Sequence, residues 1–331
     1  MCFHPKPALI QTEWVPANKT INKAHWQQTL KFLDYSIYDK YKNKSNFIYI
    51  PCGKCLACRI NKANDWATRC YIEAKQWKNN CFVTLSYNDK HLPYFKSLNR
   101  RDLQLFFKKL RKHHKGIEPR MYQGKIEYPI RYFACGEYGD KTLRPHYHIG
   151  IFNWIPDDLK LFKFNKIKQP LYRSNTVEKL WGKGFIIIGA LTLESSAYIA
   201  RYTQKKIYNK HTEIIRSLGR DQEYVVTSRR GGIGLNILYD EDEFKKMRNN
   251  FGILIKQNGE LKIKNIPETI RRKWREIDQL DYIEQANARR ESLKIETDRI
   301  NAKTTQHDFE RIDTLSKMKK ETFRKLQREA F

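Results

Sequence analysis

His146 and His148 stand two residues apart in the apolar run Arg-Pro-His-Tyr-His-Ile-Gly-Ile-Phe that ends at Phe152. In a β-strand, residues i and i+2 point to the same face, so both imidazoles can converge on one point while Tyr147 faces the other way. Another apolar run, from Arg131 to Gly139, precedes it across a short polar linker, and Glu137 lies near its end. If the two runs pair as adjacent strands, Glu137 reaches the same point. Two neutral imidazoles and one carboxylate on a rigid sheet make a divalent metal site with open coordination positions. A histidine on a strand is otherwise a core residue with a satisfied hydrogen bond, so the pair taken alone is compatible with either role.

Tyr198 and Tyr202 follow at i and i+4, in a stretch that Ser195 or Ser196 can open as a helix N-cap. That spacing puts both hydroxyls on one helix face, about 6 Å apart along the axis. Lys205 continues the face at i+7, with Lys206 beside it. Simple packing is the alternative use of such a tyrosine pair. Earlier in the chain, Cys52, Cys55 and Cys58 form two overlapping Cys-x2-Cys pairs. Thiolates at that spacing can grip one zinc ion, with Cys2 or His4 as the fourth ligand; small buried residues opening a helix are the alternative. The stretch Ser-Arg-Arg-Gly-Gly-Ile-Gly ending at Gly234 is a basic loop whose backbone amides can cradle phosphate.

The elements that must position these groups are read from periodicity. Residues 1–50 show none, and Pro5, Pro7 and Pro16 argue against a long helix, so an irregular segment with short strands such as 46–50 is expected. A basic amphipathic helix is predicted from about Ala57 to Trp77. The run from Cys81 to Tyr87 reads as a central strand that ends in the Asn88-Asp89 turn. From Leu98 to His114 the pattern is an amphipathic helix capped by Asn99, with Leu103, Phe106, Phe107 and Leu110 as its core stripe. A helix is expected between Leu159 and Trp181, then a buried strand from Gly184 to Leu191. Hairpin-adjacent strands alternating with helices predict an α+β class, an antiparallel sheet covered by helices. Three regions follow: an irregular segment (1–50), a central domain with a Cys-rich helical start (51–240), and a charged, mainly helical C-terminal region (241–331) with no Gly after Gly259.

Across 331 residues, 64 lysines and arginines face 36 aspartates and glutamates, a net charge of +28. Such an excess implies a polyanionic partner, nucleic acid first and an anionic membrane surface second. No apolar run approaches the ~18 residues of a membrane span. The N-terminus lacks the order of a signal peptide, so a cytosolic protein is expected. Seven cysteines, an odd number in that compartment, do not predict a disulfide framework. No Gly-x4-Gly-Lys-Ser/Thr sequence occurs, so there is no P-loop evidence for an ATPase or helicase.

In order and combination, these motifs resemble those of the HUH endonucleases. The His146-Tyr147-His148 segment resembles their His-hydrophobe-His motif, and Tyr198 with Tyr202 resembles the tyrosine pair of two-tyrosine replication initiators. The run from Phe82 to Tyr87 resembles the strand before the metal site, and that from Phe133 to Gly139 the strand carrying its third ligand. The cysteine cluster with Arg59 and Trp66, and the loop from Ser228 to Gly234, are similar to segments in replication initiators of microviruses, especially the gokushovirus-like branch.

The resemblance implies a central antiparallel sheet of about five strands with flanking helices, related to ferredoxin-like and RNA-recognition folds, before a helical C-terminal tail. It implies a DNA endonuclease and strand transferase that starts rolling-circle replication. Glu137, His146 and His148 would hold Mg²⁺ or Mn²⁺, and Tyr198 or Tyr202 would attack origin DNA, leaving a 5′-phosphotyrosine and a free 3′-hydroxyl. Lys205 would stand by the phosphate, with Arg144, Lys206, Arg229 and Arg230 as DNA contacts, and the cysteines could hold one structural Zn²⁺. The implied partners are single-stranded or origin DNA and a host helicase and polymerase, in the cytoplasm of a bacterial host. A relaxase or transposase of the same superfamily is one competing reading, and a non-catalytic nucleic-acid-binding protein with a structural metal site is another.

Overall fold

A computed structural model of the chain describes all residues except 1–5, 17–24, 35, 38, 39, 42, 43, 45, 123, 140, 141, 166, 193, 194, 201–209, 258, 302–312, 315, 319, 320 and 322–331. The chain forms two compact units, Met1–Asn61 with Gln306–Phe331, and Lys62–Thr305.

The first unit contains β1 (Lys6–Val15), β2 (His25–Phe32) and β3 (Phe47–Ile50), an antiparallel sheet in the order β2-β1-β3. An irregular segment was the expectation here. Pro7 and Pro16 do exclude a helix, but they fall at the ends of β1, where a missing N–H costs the ladder little. Helix α1 (Leu56–Lys75) begins in this unit and continues into the second.

The second unit opens with β4 (Asn80–Ser86), α2 (Arg100–His113), the hairpin β5 (Arg120–Tyr122) and β6 (Lys125–Glu127), β7 (Arg131–Tyr138) and β8 (Pro145–Phe152). It continues with β9 (Lys160–Phe164), β10 (Pro170–Arg173), α3 (Asn175–Trp181), β11 (Ile186–Ala190), α4 (195–200), α5 (Lys210–Ser217) and β12 (Tyr224–Thr227). These build an antiparallel sheet of seven strands, ordered β12-β7-β8-β4-β11-β10-β9. The two strands beyond the expected five are β9 and β10, which occupy much of the stretch where a helix was anticipated; the helix itself is only α3. Residues 160–164 are exposed throughout, so they carry no buried stripe, and their identity as a strand comes from pairing with β10.

Strand alternation gives the sheet two distinct faces. On one, Val83, Leu85, Tyr147, Ile149 and Ile151 pack under α2 and α3. Asn99 caps α2 by accepting from the Arg101 and Asp102 amides, and the stripe Leu103, Phe106, Phe107 and Leu110 is buried as its spacing predicts. On the other face, Phe133, Cys135 and Phe152 pack against Ala63, Cys70 and Trp77 of α1 and Ile199 and Ala200 of α4. Thr192 and Ser195 cap α4 reciprocally: the Thr192 amide donates to Ser195 Oγ (2.8 Å) and the Ser195 amide to Thr192 Oγ1 (3.1 Å). The cap is thus Thr192, three residues ahead of the first serine expected in that role.

Residues after 240 are less purely helical than their composition suggests. Helices α6 (Glu241–Asn250) and α7 (Glu268–Ile277) flank the hairpin β13 (Ile253–Gln257) and β14 (Glu260–Lys264). Met247, Ile253, Ile255, Ile270 and Trp274 form a core with Ile72 of α1. Helix α8 (Gln279–Asn301) follows. No helix among the described residues is long and apolar enough to cross a membrane.

Candidate active site on the central strands

Strand β8 lies between β7 and β4, and the registers place Glu137 opposite His146 and Thr84 opposite His148. Ligand atoms of Glu137, His146 and His148 all lie within 4.8 Å of one another. His148 Nε2 is 2.8 Å from Glu137 Oε1, and its Nδ1 is 3.0 Å from Thr84 Oγ1. Both ring nitrogens are therefore engaged, and Phe82 stacks on the ring at a 5.8 Å centroid distance. Glu137 is buried, and its second oxygen, Oε2, accepts no hydrogen bond within the described structure. A desolvated carboxylate oxygen in that state is costly unless a cation shares the site. This donor set of two imidazoles and a carboxylate suits a divalent ion. Beside it, a Cβ on Gly139 would come within 3.0 Å of His146 Cε1, so the close approach of that ring depends on glycine.

Helix α4 brings the first tyrosine to the cluster. Tyr198 is half-buried, and its ring meets that of His148 edge-on, with centroids 5.3 Å apart and an interplanar angle of 87°. Tyr202, Lys205 and Lys206 lie outside the described residues, as do Cys2 and His4. In the other unit, Cys52, Cys55 and Cys58 hold their sulfurs within 4.8 Å of one another, and the Cys55 amide donates to Cys52 Sγ at 3.3 Å.

The arginines expected to contact DNA divide into two groups. Arg144 donates to the Tyr87 carbonyl through Nε (3.2 Å) and Nη2 (2.9 Å) and pairs with Asp89, tying the start of β8 to the end of β4. Arg229 and Arg230 are exposed. The loop that carries them turns its backbone inward. Arg131, buried and paired with Glu73 at 2.5 Å, donates to the Arg230 and Gly232 carbonyls, and the Gly234 amide donates to Glu73 Oε2. The Gly232 amide is taken by the Arg229 carbonyl. Those two amides are thus committed within the protein, and the loop is held by a buried ion pair instead of offering a phosphate cradle there.

Sequence reading missed Thr84 as the support of His148 and Glu73 as the counter-ion of Arg131. The period-2 burial of β4 places Thr84 on the same face as Phe82, which is the only local hint for it. Nothing local marks Glu73 as the partner of a residue 58 positions away.

A mainly antiparallel α+β sheet, bearing a histidine–histidine–carboxylate cluster with a tyrosine-bearing helix against it, defines a candidate metal centre suited to phosphate chemistry. Residues 80–207 match a family model described as a replication-associated protein of the ORF2 type. The chain is 35% identical over 233 residues to the replication-associated protein VP4 of Bdellovibrio phage phiMH2K, covering 68% of this chain and 67% of that one. It is 31% identical over 294 residues to the replication-associated protein ORF2 of Spiroplasma virus 4, covering 86% and 84%. No solved structure matches. The chain belongs to the family of phage replication-associated proteins.

Proposed function

We propose that this protein initiates rolling-circle replication by nicking origin DNA with a tyrosine. The observation that carries the reading is the convergence of Glu137, His146 and His148 within 4.8 Å, with the Tyr198 ring against His148. Glu137, His146 and His148 would hold Mg²⁺ or Mn²⁺, which when bound polarises the scissile phosphate and offsets charge on its oxygens. Thr84 accepts from His148 Nδ1–H in that state, leaving the Nε2 lone pair directed at the shared point. The Tyr198 oxygen attacks phosphorus, the bond to the 3′ oxygen breaks, and the phenol proton ends on that oxygen. The products are a 5′-phosphotyrosine and a 3′-hydroxyl that a host polymerase can extend behind a host helicase. Tyr202, one turn further along in sequence, is the second nucleophile for strand transfer and closure, and Lys205 neutralises phosphate charge nearby.

The cysteine trio suits one structural Zn²⁺ with a fourth ligand from Cys2 or His4. Metal analysis of protein purified without chelator is expected to find about one zinc per chain.

The test is incubation of the protein with labelled single-stranded origin oligonucleotides and Mn²⁺, followed by a denaturing gel. The expected result is a covalent adduct that EDTA prevents. Mass spectrometry should place it on Tyr198 or Tyr202; an adduct on another residue, or none, rejects the mechanism.

A further inference from the structure

The face of the sheet turned away from His146 and His148 carries a groove of about 930 Å³ between α2, the edge strand β12 and the β5–β6 hairpin. Tyr132 lines it, whereas Glu137 on the same strand, five residues on, points to the opposite face. Its basic lining residues include Arg100, Arg111, Lys115, Arg120, Arg229 and Arg230, against a single carboxylate, Glu127. Arg131 also borders the groove but turns its guanidinium to Glu73. Glu127 sits between Arg120 (3.4 Å) and Arg230 (3.2 Å), so it fixes two guanidiniums at the rim without cancelling the excess charge.

Planar groups make up the floor. Tyr132 stacks on Phe107 with centroids 3.6 Å apart and an 11° interplanar angle. The Arg111 guanidinium lies 5.0 Å from the Tyr132 ring centre while donating to the Ile130 carbonyl, and Arg100 lies 4.1 Å from that of Tyr224. At the rim, Tyr128 is 49% exposed. A basic track beside an exposed aromatic ring is the pattern that grips single strands, phosphates by charge and bases by stacking. A duplex turns its bases inward and would leave Tyr128 without a base to stack on.

We propose that this groove is a second binding site for single-stranded DNA, separate from the cluster of Glu137, His146 and His148. That the ligand is DNA rests on the replication reading above; the groove itself does not depend on catalysis. A strand held here stays bound after the scissile phosphate has been cut on the other face.

The test uses the full chain and a labelled oligothymidylate, titrated by fluorescence anisotropy in EDTA so that no cleavage occurs. The triple variant K115E/R229E/R230E is compared with K160E/K163E/K168E, which makes the same charge change around the β9–β10 hairpin at the opposite sheet edge. The groove variant should bind at least about ten-fold more weakly than the control, and its slope of log affinity against log salt should fall by about two, at roughly 0.7 for each phosphate no longer neutralised. Tyr128→Ala should weaken binding about ten-fold with the slope unchanged. Equal losses in the two triple variants overturn the proposal, because the affinity would then follow net charge alone. Where the groove variant has a lowered Tm, K115Q/R229Q/R230Q carries the comparison. Adduct formation with Mn²⁺ at saturating origin DNA is measured separately and should match wild type in the groove variant. A wild-type protein that forms no adduct rejects the proposed chemistry and leaves the anisotropy result, and with it the groove, standing.

Discussion

His148 and Tyr147 are neighbours on one strand and both are buried, yet their polar atoms are used in opposite ways. The Tyr147 hydroxyl accepts from the Asn99 amide, donates to the Asn99 carbonyl and lies 2.8 Å from the Tyr87 hydroxyl, which in turn donates to Asp102. Burial pushes its phenol up to about 12 and that of Tyr87 well above the usual tyrosine range. Every hydrogen bond there locks the loop before α2 to the sheet. On the other face, Glu137 keeps a buried oxygen that no described donor satisfies. One face commits its polar groups to the fold, and the other holds some back, which is what a ligand-binding centre requires. Substitutions on the two faces should therefore separate activity from stability.

The largest effect is expected on the cluster. His148→Ala should lower adduct formation on the order of 1,000-fold or more while costing less than about 2 kcal/mol of stability, read from gel-based single turnovers and urea unfolding. Wild-type nicking by this variant would remove the metal assignment. Next comes Arg131→Met, on the same face as the cluster but engaged with Glu73. It strands a buried carboxylate and should destabilise by about 3–5 kcal/mol in urea, showing that charge on this face is not by itself a mark of chemistry.

Thr84→Val keeps the shape of β4 and removes the partner of His148 Nδ1. Calorimetric Mn²⁺ affinity should fall about 10- to 100-fold with the unfolding midpoint little changed; an unchanged affinity would reduce Thr84 to packing. The smallest effect belongs to the opposite face. Tyr147→Phe should cost about 1–3 kcal/mol and leave the adduct rate per folded molecule unchanged. The Tyr147 phenol has a folded value of about 12 against an ordinary 10.0. Its contribution is therefore complete below the unfolded value and is lost as pH rises through the folded one. The stability gap between wild type and Tyr147→Phe should accordingly narrow between pH 10 and 12.

Much of this arrangement was legible locally. The two-residue spacing of His146 and His148 fixed their common face, the hairpin pattern brought Glu137 beside them, and Asn99 with the stripe from Leu103 to Leu110 defined α2. Those features depend on periods of two and 3.6 residues and on one cap, which the backbone imposes wherever the sequence supplies the side chains. The N-terminal sheet, the β9–β10 extension, Thr84 against His148 and the Glu73–Arg131 pair had no such local signal. Each is set by which strand lies beside which, and at what register. That choice is made by burial and hydrogen bonding between segments tens of residues apart, so only the tertiary structure decides it.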